Sequence, residues 1–206
     1  YPGKNLQMLI SNLQPYTQYD FELVACTAGG CTSSTVQSVT TMEAPPLNME
    51  APRLLVMGSE SIEITWKSPA KPNGKITSYE LRRDDVLVYS GQETRYLDFT
   101  LTPGMEYSYT VTANNSQGSV TSPSAQIKTN PSAPSGMLPP RLQAWSSKEI
   151  LVAWDPPIKV NGDIKNYTIS IHRPAETGKK TVDFDASHSS FVRRSFIVAG
   201  LQPYSW

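Results

Sequence analysis

The chain repeats itself with a period of 88 residues. Trp66 and Trp154 lie 88 positions apart, and their neighbours correspond without a gap. The segment Ile62–Trp66 matches Ile150–Trp154, and Asn73-Gly74 matches Asn161-Gly162. Self-similarity at a fixed period indicates an array of similar structural units, each of which is a small folding domain.

A second motif repeats at the same spacing and divides the 206 residues into modules. Leu13–Tyr19 lies 88 residues before Leu101–Tyr107, and the motif begins a third time at Leu201. We therefore predict the C-terminal part of a module at 1–44, a complete module at 45–131, and the N-terminal part of a module at 132–206. The proline-rich segments at the two boundaries are typical of stiff spacers rather than flexible tethers.

Alternating apolar and polar residues predict β-strands. Ile62, Ile64 and Trp66 alternate with polar side chains, and the same period of two runs from Tyr107 to Ala113. Turn residues separate these runs, which favours an all-β fold of antiparallel two-sheet sandwiches. The predicted structural core contains Leu13, Tyr19, Trp66, Leu101, Tyr107, Trp154 and Leu201.

These motifs resemble the fibronectin type III family. The Trp that ends an early strand is similar to the core Trp of that family. The Leu-x-Pro-x-x-x-Tyr motif is similar to its turn between the fifth and sixth strands, which places Tyr19 and Tyr107 at the tyrosine-corner position. The resemblance implies immunoglobulin-like sandwiches in an extracellular protein without catalytic activity.

The third module departs from the repeat. Twelve additional residues lie between Tyr167 and Leu201, and we expect Arg173–Lys180 to form a longer hairpin there. The chain ends at Trp206, before the strands that would complete a sandwich. We therefore expect residues 135–206 not to fold in isolation.

Cys26 and Cys31 are the only cysteines, and they align with Asn114 and Ser119 on the two sides of a hairpin. Two glycines between them allow a tight turn that brings their side chains opposite each other. We predict a disulfide, with free thiols as the alternative. A disulfide indicates an oxidising compartment.

The cysteine hairpin also resembles long-repeat members of the family from sensory hair cells and photoreceptors. That resemblance implies fibrous links at stereocilia and photoreceptor membranes, and contacts with basement-membrane proteins such as collagen IV. The alternative function is a ligand-binding ectodomain of a cell-surface receptor. Such an ectodomain would need clustered exposed aromatics, and candidates such as Tyr89 and Phe191 are scattered.

The remaining polar motifs favour surface roles. Asn114 and Asn166 begin N-glycosylation sequons; we expect Asn114 at the start of a loop and Asn166 on an outward face. The paired residues Arg82-Arg83 and Arg193-Arg194 are interpreted as solvated strand positions.

We assign no catalytic, metal-binding or cofactor-binding residue. His172 and His188 lie outside any motif spacing, and Asp84-Asp85 and Asp183–Asp185 are interpreted as hairpin residues. Eighteen basic residues balance eighteen acidic ones, so nucleic acid is not an expected partner. No apolar stretch approaches the roughly 18 residues of a membrane span, so we expect this region to make no direct membrane contact. The expected contacts are instead neighbouring modules and extracellular proteins.

Overall fold

A computed structural model describes residues 6–172, 179–185 and 195–198 of the chain. The described residues form strands joined by turns, and no helix among them is long and apolar enough to cross a membrane. The strands are β1 (Gln18–Phe21), β2 (Val24–Thr27), β3 (Gly30–Ser33), β4 (Gln37–Thr40), β5 (Arg53–Val56), β6 (Ile62–Thr65), β7 (Ser78–Arg83), β8 (Val86–Gly91), β9 (Arg95–Asp98), β10 (Glu106–Asn115), β11 (Gly118–Thr121), β12 (Ala125–Lys128), β13 (Arg141–Ser146), β14 (Glu149–Ala153), β15 (Asn166–His172), β16 (Lys179–Asp185) and β17 (Ser195–Val198).

The complete module is an antiparallel sandwich of two sheets. One sheet has the strand order β5-β6-β9, and the other has the order β11-β10-β7-β8, with β12 also pairing with β10. Ile62 pairs with Asp98 in the first sheet, and Val111 pairs with Leu81 in the second. The predicted all-β fold is confirmed.

The alternation of the sequence places one face of each sheet in the core. Ile62, Ile64, Leu81, Tyr109 and Val111 are completely buried. Burial of each such side chain contributes about 1.5–3 kcal/mol relative to exposure. The core of this small module therefore depends on a few large residues, and each is costly to truncate.

The described chain divides into two compact units. The first comprises the described residues up to Leu55, Ile62–Asp98 and Glu106–Ile127, and the second comprises Val56–Ser61, Phe99–Met105 and the described residues from Lys128 onward. The first unit holds β1 paired with β4, β2 paired with β3, and nearly all of the complete sandwich. The second unit holds a sheet of order β13-β14-β17 and the pair β15-β16.

The third module has a core of its own. Val152, Trp154 and Val198 are buried together, and Tyr167 packs against Trp154 with ring centroids 5.7 Å apart. The predicted longer hairpin is flanked by β15 and β16, which pair antiparallel from Asn166–Asp185 to His172–Lys179. Its connecting residues 173–178 lie outside the described residues, as do Leu201, His188, Phe191 and Arg193-Arg194.

The residues predicted to form the core differ in their degree of burial. Trp66 and Trp154 are 6% and 8% exposed, and Leu101 is 4% exposed. Leu13, Tyr19 and Tyr107 are only half-buried. Tyr107 lies near the rim, with the guanidinium of Arg83 5.8 Å from its ring centroid, so Tyr109 two residues later is the tyrosine of the interior.

Candidate functional site: the module joints

Two joints connect the modules, and each lies within a single unit. We define the first joint as residues 41–47 and the second joint as residues 129–135, together with the loops that they contact. Both joints begin with a threonine that follows the last strand of a module. Thr41 Oγ1 accepts from the Thr17 amide at 3.0 Å and donates to the Gln14 carbonyl at 2.6 Å.

The second threonine repeats this arrangement 88 residues later. Thr129 Oγ1 accepts from the Met105 amide at 3.1 Å and donates to the Thr102 carbonyl at 2.8 Å. Thr129 is almost completely buried, so these hydrogen bonds satisfy polar groups that water cannot reach. The first joint is thereby attached to the turn that precedes β1, and the second joint to the turn that precedes β10.

An asparagine from the following module then holds each joint from the other side. Asn73 Nδ2 donates to the Pro45 carbonyl at 2.8 Å, and the Asn73 carbonyl accepts from the Ala44 amide at 2.9 Å. At the second joint, Asn161 Nδ2 donates to the Ala133 carbonyl at 2.8 Å, and its carbonyl accepts from the Ser132 amide at 2.9 Å. We call this pair of hydrogen bonds the asparagine clamp.

The backbone conformation explains why asparagine serves as the clamp. Asn73 and Asn161 have φ angles of 50° and 55°, in the left-handed region that asparagine tolerates better than most residues. Beyond each clamp, the chain forms an antiparallel bridge, Leu47 with Lys71 and Ser135 with Lys159. The linker is therefore hydrogen-bonded to the next module for several consecutive residues.

The first joint carries an additional carboxylate. Glu43 Oε1 accepts from the Lys75 amide at 2.8 Å, and the other carboxylate oxygen accepts from the Ser116 hydroxyl. The Lys75 amide, and then the Ser116 hydroxyl, lower the pKa of Glu43. Asn115 completes the contact by donating to the carbonyls of Ala44 and Pro72 at 2.8 and 3.1 Å.

The second joint has a proline in the place of that carboxylate. Pro131 lies 88 residues after Glu43 and packs onto Gly162, where an added Cβ would lie 2.7 Å from the proline Cβ. At the first joint, a Cβ on Gly74 would lie 2.7 Å from the Glu43 side chain. A side chain at residue 162 would clash with the rigid proline of the linker, whereas a side chain at residue 74 would have to displace the side chains of Glu43 and Asn115.

The cysteine hairpin lies in the partial first module. Cys26 of β2 faces Cys31 of β3 in register, and their sulfurs form a disulfide with a Cα–Cα distance of 4.0 Å. Asn114 and Ser119 occupy the same cross-strand position in the complete module. The disulfide therefore links neighbouring strands across an exposed hairpin and is not part of a core.

An ion pair with a buried carboxylate joins the two sheets of the complete module. Arg83 Nη1 lies 2.9 Å from both carboxylate oxygens of Asp98, and the Tyr109 hydroxyl donates to Asp98 at 2.9 Å. Asp98 is 4% exposed. Burial, followed by the hydrogen bond to Asp98, raises the pKa of Tyr109 above its ordinary value.

This ion pair corrects the prediction for Arg82-Arg83. Arg82 is exposed and lies 3.7 Å from Glu80, as a solvated strand residue should. Arg83 instead points inward because β7 alternates its faces and Asp98 supplies a buried counter-charge. The sequence gives no periodic signal for this contact, since Asp98 has no acidic counterpart in the other modules.

The two sequons differ in their environments. Asn166 is exposed on β15, while Tyr167 points toward Trp154. Asn114 is half-buried within β10, where its Nδ2 donates to Ser78 Oγ at 3.3 Å. Its predicted position at the start of a loop is wrong, because β10 continues to Asn115 and the hairpin turns in two residues, Ser116 and Gln117.

Other candidate residues have structural contacts. Asp84 and Asp85, with φ angles of 47° and 66°, form the two-residue turn between β7 and β8. Tyr89 was predicted as a scattered exposed aromatic; it is half-buried, with its ring centroid 5.9 Å from that of Trp66. Among the described residues, no group of three His, Cys, Asp or Glu side chains is placed to hold a metal ion.

Comparison with known proteins assigns the family. The model of the fibronectin type III domain matches residues 45–130 and again residues 132–206. The chain belongs to the fibronectin type III family. These matches start at the same residues as the modules predicted at 45–131 and 132–206.

Usherin and neogenin are among the similar relatives. The chain is 60% identical to usherin from Homo sapiens and 56% identical to usherin from Rattus norvegicus, each over 202 residues or 98% of the chain. It is 32% identical to neogenin from Homo sapiens over 198 residues, which cover 88% of the chain and 13% of neogenin. The chain spans 4% of the length of the usherin relatives, and the likeness to usherin predicted from the cysteine hairpin is confirmed.

Proposed function

We propose that this chain is part of a non-catalytic extracellular array that acts as a spacer and adhesion element. The observation that carries the proposal is the asparagine clamp, which recurs at both joints with the same donors and acceptors. A joint held by side-chain and backbone hydrogen bonds restricts rotation between consecutive modules. An array of such joints transmits a fixed spacing to whatever lies at its ends.

The disulfide supports an extracellular location. Cys26 and Cys31 are exposed, and a disulfide at an exposed hairpin persists in an oxidising compartment. In the same compartment, the exposed side chain of Asn166 is accessible for an N-linked glycan, whereas Asn114 is held by Ser78. We therefore assign the glycan to Asn166.

The similarity to usherin extends the proposal to a tissue and a partner. We infer a role in fibrous links of sensory hair cells and photoreceptors, and thus in hearing and vision. The partner we propose is a basement-membrane protein such as collagen IV, bound in cooperation with other modules. The strong identity over nearly the whole chain supports this extension.

The spacer function can be tested by measuring a distance distribution within the first unit. Spin labels would be attached at one exposed position before residue 41 and one in the complete module, with Asn73→Ala as the matched variant. We expect a single narrow distribution for the native chain and a broader one for the variant. A broad distribution in the native chain would contradict the spacer proposal.

The adhesion function needs a separate binding measurement. The 206-residue chain would be passed over immobilised collagen IV, with fibrillar collagen as the control surface. Saturable binding to collagen IV alone is expected. Equal retention on both surfaces, or no retention on either, would contradict collagen IV as the partner.

A further inference from the structure

Both clamp asparagines precede a glycine, and this sequence has a chemistry of its own. Asn73-Gly74 and Asn161-Gly162 are the two Asn-Gly pairs of the chain. We propose that Asn73 and Asn161 are sites of spontaneous deamidation, and that this modification releases the joints. Glycine favours the reaction because it has no side chain to shield its own amide nitrogen from the preceding asparagine.

The reaction requires only water. The amide nitrogen of the glycine loses its proton and attacks Cγ of the asparagine. A new C–N bond forms while the bond from Cγ to Nδ2 breaks, and the amide leaves as ammonia. Water then opens the resulting succinimide at either carbonyl, which gives aspartate or isoaspartate. The net change is the exchange of ammonia for water, with no oxidation or reduction.

The product cannot form the clamp. Asn73 and Asn161 each donate through Nδ2 to a linker carbonyl at 2.8 Å. Deamidation replaces that donor with a carboxylate oxygen, which repels the carbonyl oxygen that it faces. Isoaspartate also inserts a methylene into the backbone, which displaces the asparagine carbonyl that accepts from Ala44 or Ser132.

The intact clamp protects the two asparagines from deamidation. The Nδ2 hydrogen bond holds the side chain on the linker, so attack by the glycine nitrogen requires the clamp to open first. Reaction in the folded protein therefore follows the population of the open joint. The deamidated product therefore accumulates as joints open, because it does not return to asparagine.

The two joints differ in how strongly their surroundings slow deamidation. Gly74 is buried, and a Cβ added to it would lie 2.7 Å from the Glu43 side chain. The Glu43 carboxylate also accepts from the next amide along the chain, that of Lys75, at 2.8 Å. A negative charge so close to this backbone raises the energy of the Gly74 amide anion that must form. Gly162 is half-buried beneath Pro131, which carries no charge. The carboxylate of the next residue, Asp163, is 82% exposed and lies 3.8 Å from Lys128 Nζ, so water and this cation reduce its effect. We expect Asn161 to react faster than Asn73 in the folded chain.

The test follows both sites by peptide mapping and mass spectrometry of the 206-residue chain at mildly alkaline pH. The native chain is compared with the chain in urea, and Asn48-Met49 serves as an internal control without glycine. In urea, both Asn-Gly sites should react at similar rates and well ahead of Asn48. In the native chain, both should be at least about tenfold slower than in urea, with Asn161 at least about threefold faster than Asn73.

Two variants make the result decisive. Glu43→Gln keeps the shape of the side chain but removes its charge, and it should raise the rate at Asn73 while leaving Asn161 unchanged. Asn73→Asp should increase hydrogen exchange of the Ala44 amide and leave the Ser132 amide unaffected. Native rates equal to those in urea would overturn the protection, and unchanged Ala44 exchange in Asn73→Asp would overturn the release of the joint.

Discussion

A small number of side chains determines the structure at the scale of single residues. Trp66 packs between Tyr79 and Tyr89, with ring centroids 6.0 and 5.9 Å away. Asn73 and Asn161 each fix a linker with one side-chain amide and one backbone carbonyl. The tryptophan acts through volume and the asparagines act through directed hydrogen bonds, so their substitution should have different consequences.

Truncation of the core tryptophan should unfold the complete module. We expect Trp66→Ala to reduce the free energy of unfolding by about 3–5 kcal/mol, because the lost indole leaves a cavity between two tyrosines. Thermal or urea denaturation of the 206-residue chain measures this change. Leu55→Ala is the matched control, since Leu55 is exposed, and it should cost less than about 0.5 kcal/mol. Equal losses for the two variants would contradict the core role of Trp66.

At the scale of strands, two modules place different side chains at equivalent positions between their strands. Asp98 on β9 pairs with Ile62, and Val198 on β17 pairs with Ile150, so Asp98 and Val198 occupy equivalent positions. Ile171, which lies 88 residues after Arg83, packs against the core cluster of Val198. The complete module therefore has an ion pair between its sheets where the third module has two aliphatic side chains.

This equivalence predicts how the ion pair responds to substitution. Asp98→Val alone should destabilise the complete module by about 3 kcal/mol, because it leaves the Arg83 guanidinium without its buried partner. The double variant Arg83→Ile with Asp98→Val should recover part of that loss, since an apolar pair can replace an ion pair of similar volume, while the buried Tyr109 hydroxyl remains without its acceptor. Urea denaturation of the three chains measures the effect. A double variant as unstable as the single one would contradict the equivalence.

The Glu43 contacts of the first joint should depend on pH. The pKa of Glu43 is below its ordinary value of 4.5 when its hydrogen bonds with Lys75 and Ser116 are present. Because the folded-state pKa is lowered, the contribution is fully present above pH 4.5 and is lost as the pH falls through the folded-state pKa. The protection factor of the Lys75 amide against hydrogen exchange should fall in that window. In Glu43→Gln, the protection factor should not change across it; a parallel fall in both chains would assign the effect to another group.

The sequence predicts the features that recur and not the contacts that occur once. Trp66, Trp154 and the alternation along β10 carry a periodic signal, so the sandwich could be predicted. Glu43 and Ser116 are 73 residues apart, and Arg83 and Asp98 belong to different sheets. Neither pair repeats elsewhere in the chain, so only the packing of the folded module brings its members together. The predicted position of Asn114 was wrong for another reason: turn residues show that a hairpin is present but not at which residue β10 ends, and β10 continues to Asn115.

At the scale of the whole chain, the period of 88 residues governs hydrogen bonds as well as sequence. The threonine bonds of Thr41 and Thr129 and the clamps of Asn73 and Asn161 correspond atom by atom. Leu23 and Val111 also exchange equivalent backbone and side-chain bonds with Ser34 and Ser122. Each joint is therefore a part of the repeat and not an unstructured connection between modules.

This claim is tested most directly by hydrogen exchange of the two linker amides that donate to the carbonyls of the clamp asparagines. The Ala44 and Ser132 amides would be followed in the native chain, in Asn73→Ala and in Asn161→Ala. Alanine disfavours the left-handed conformation of the clamp residue, by about 1–2 kcal/mol, so each substitution should release its own joint. We predict that Asn73→Ala increases exchange at Ala44 alone, and that Asn161→Ala increases exchange at Ser132 alone. Unchanged protection of both amides in both variants would contradict a clamp that repeats with the module.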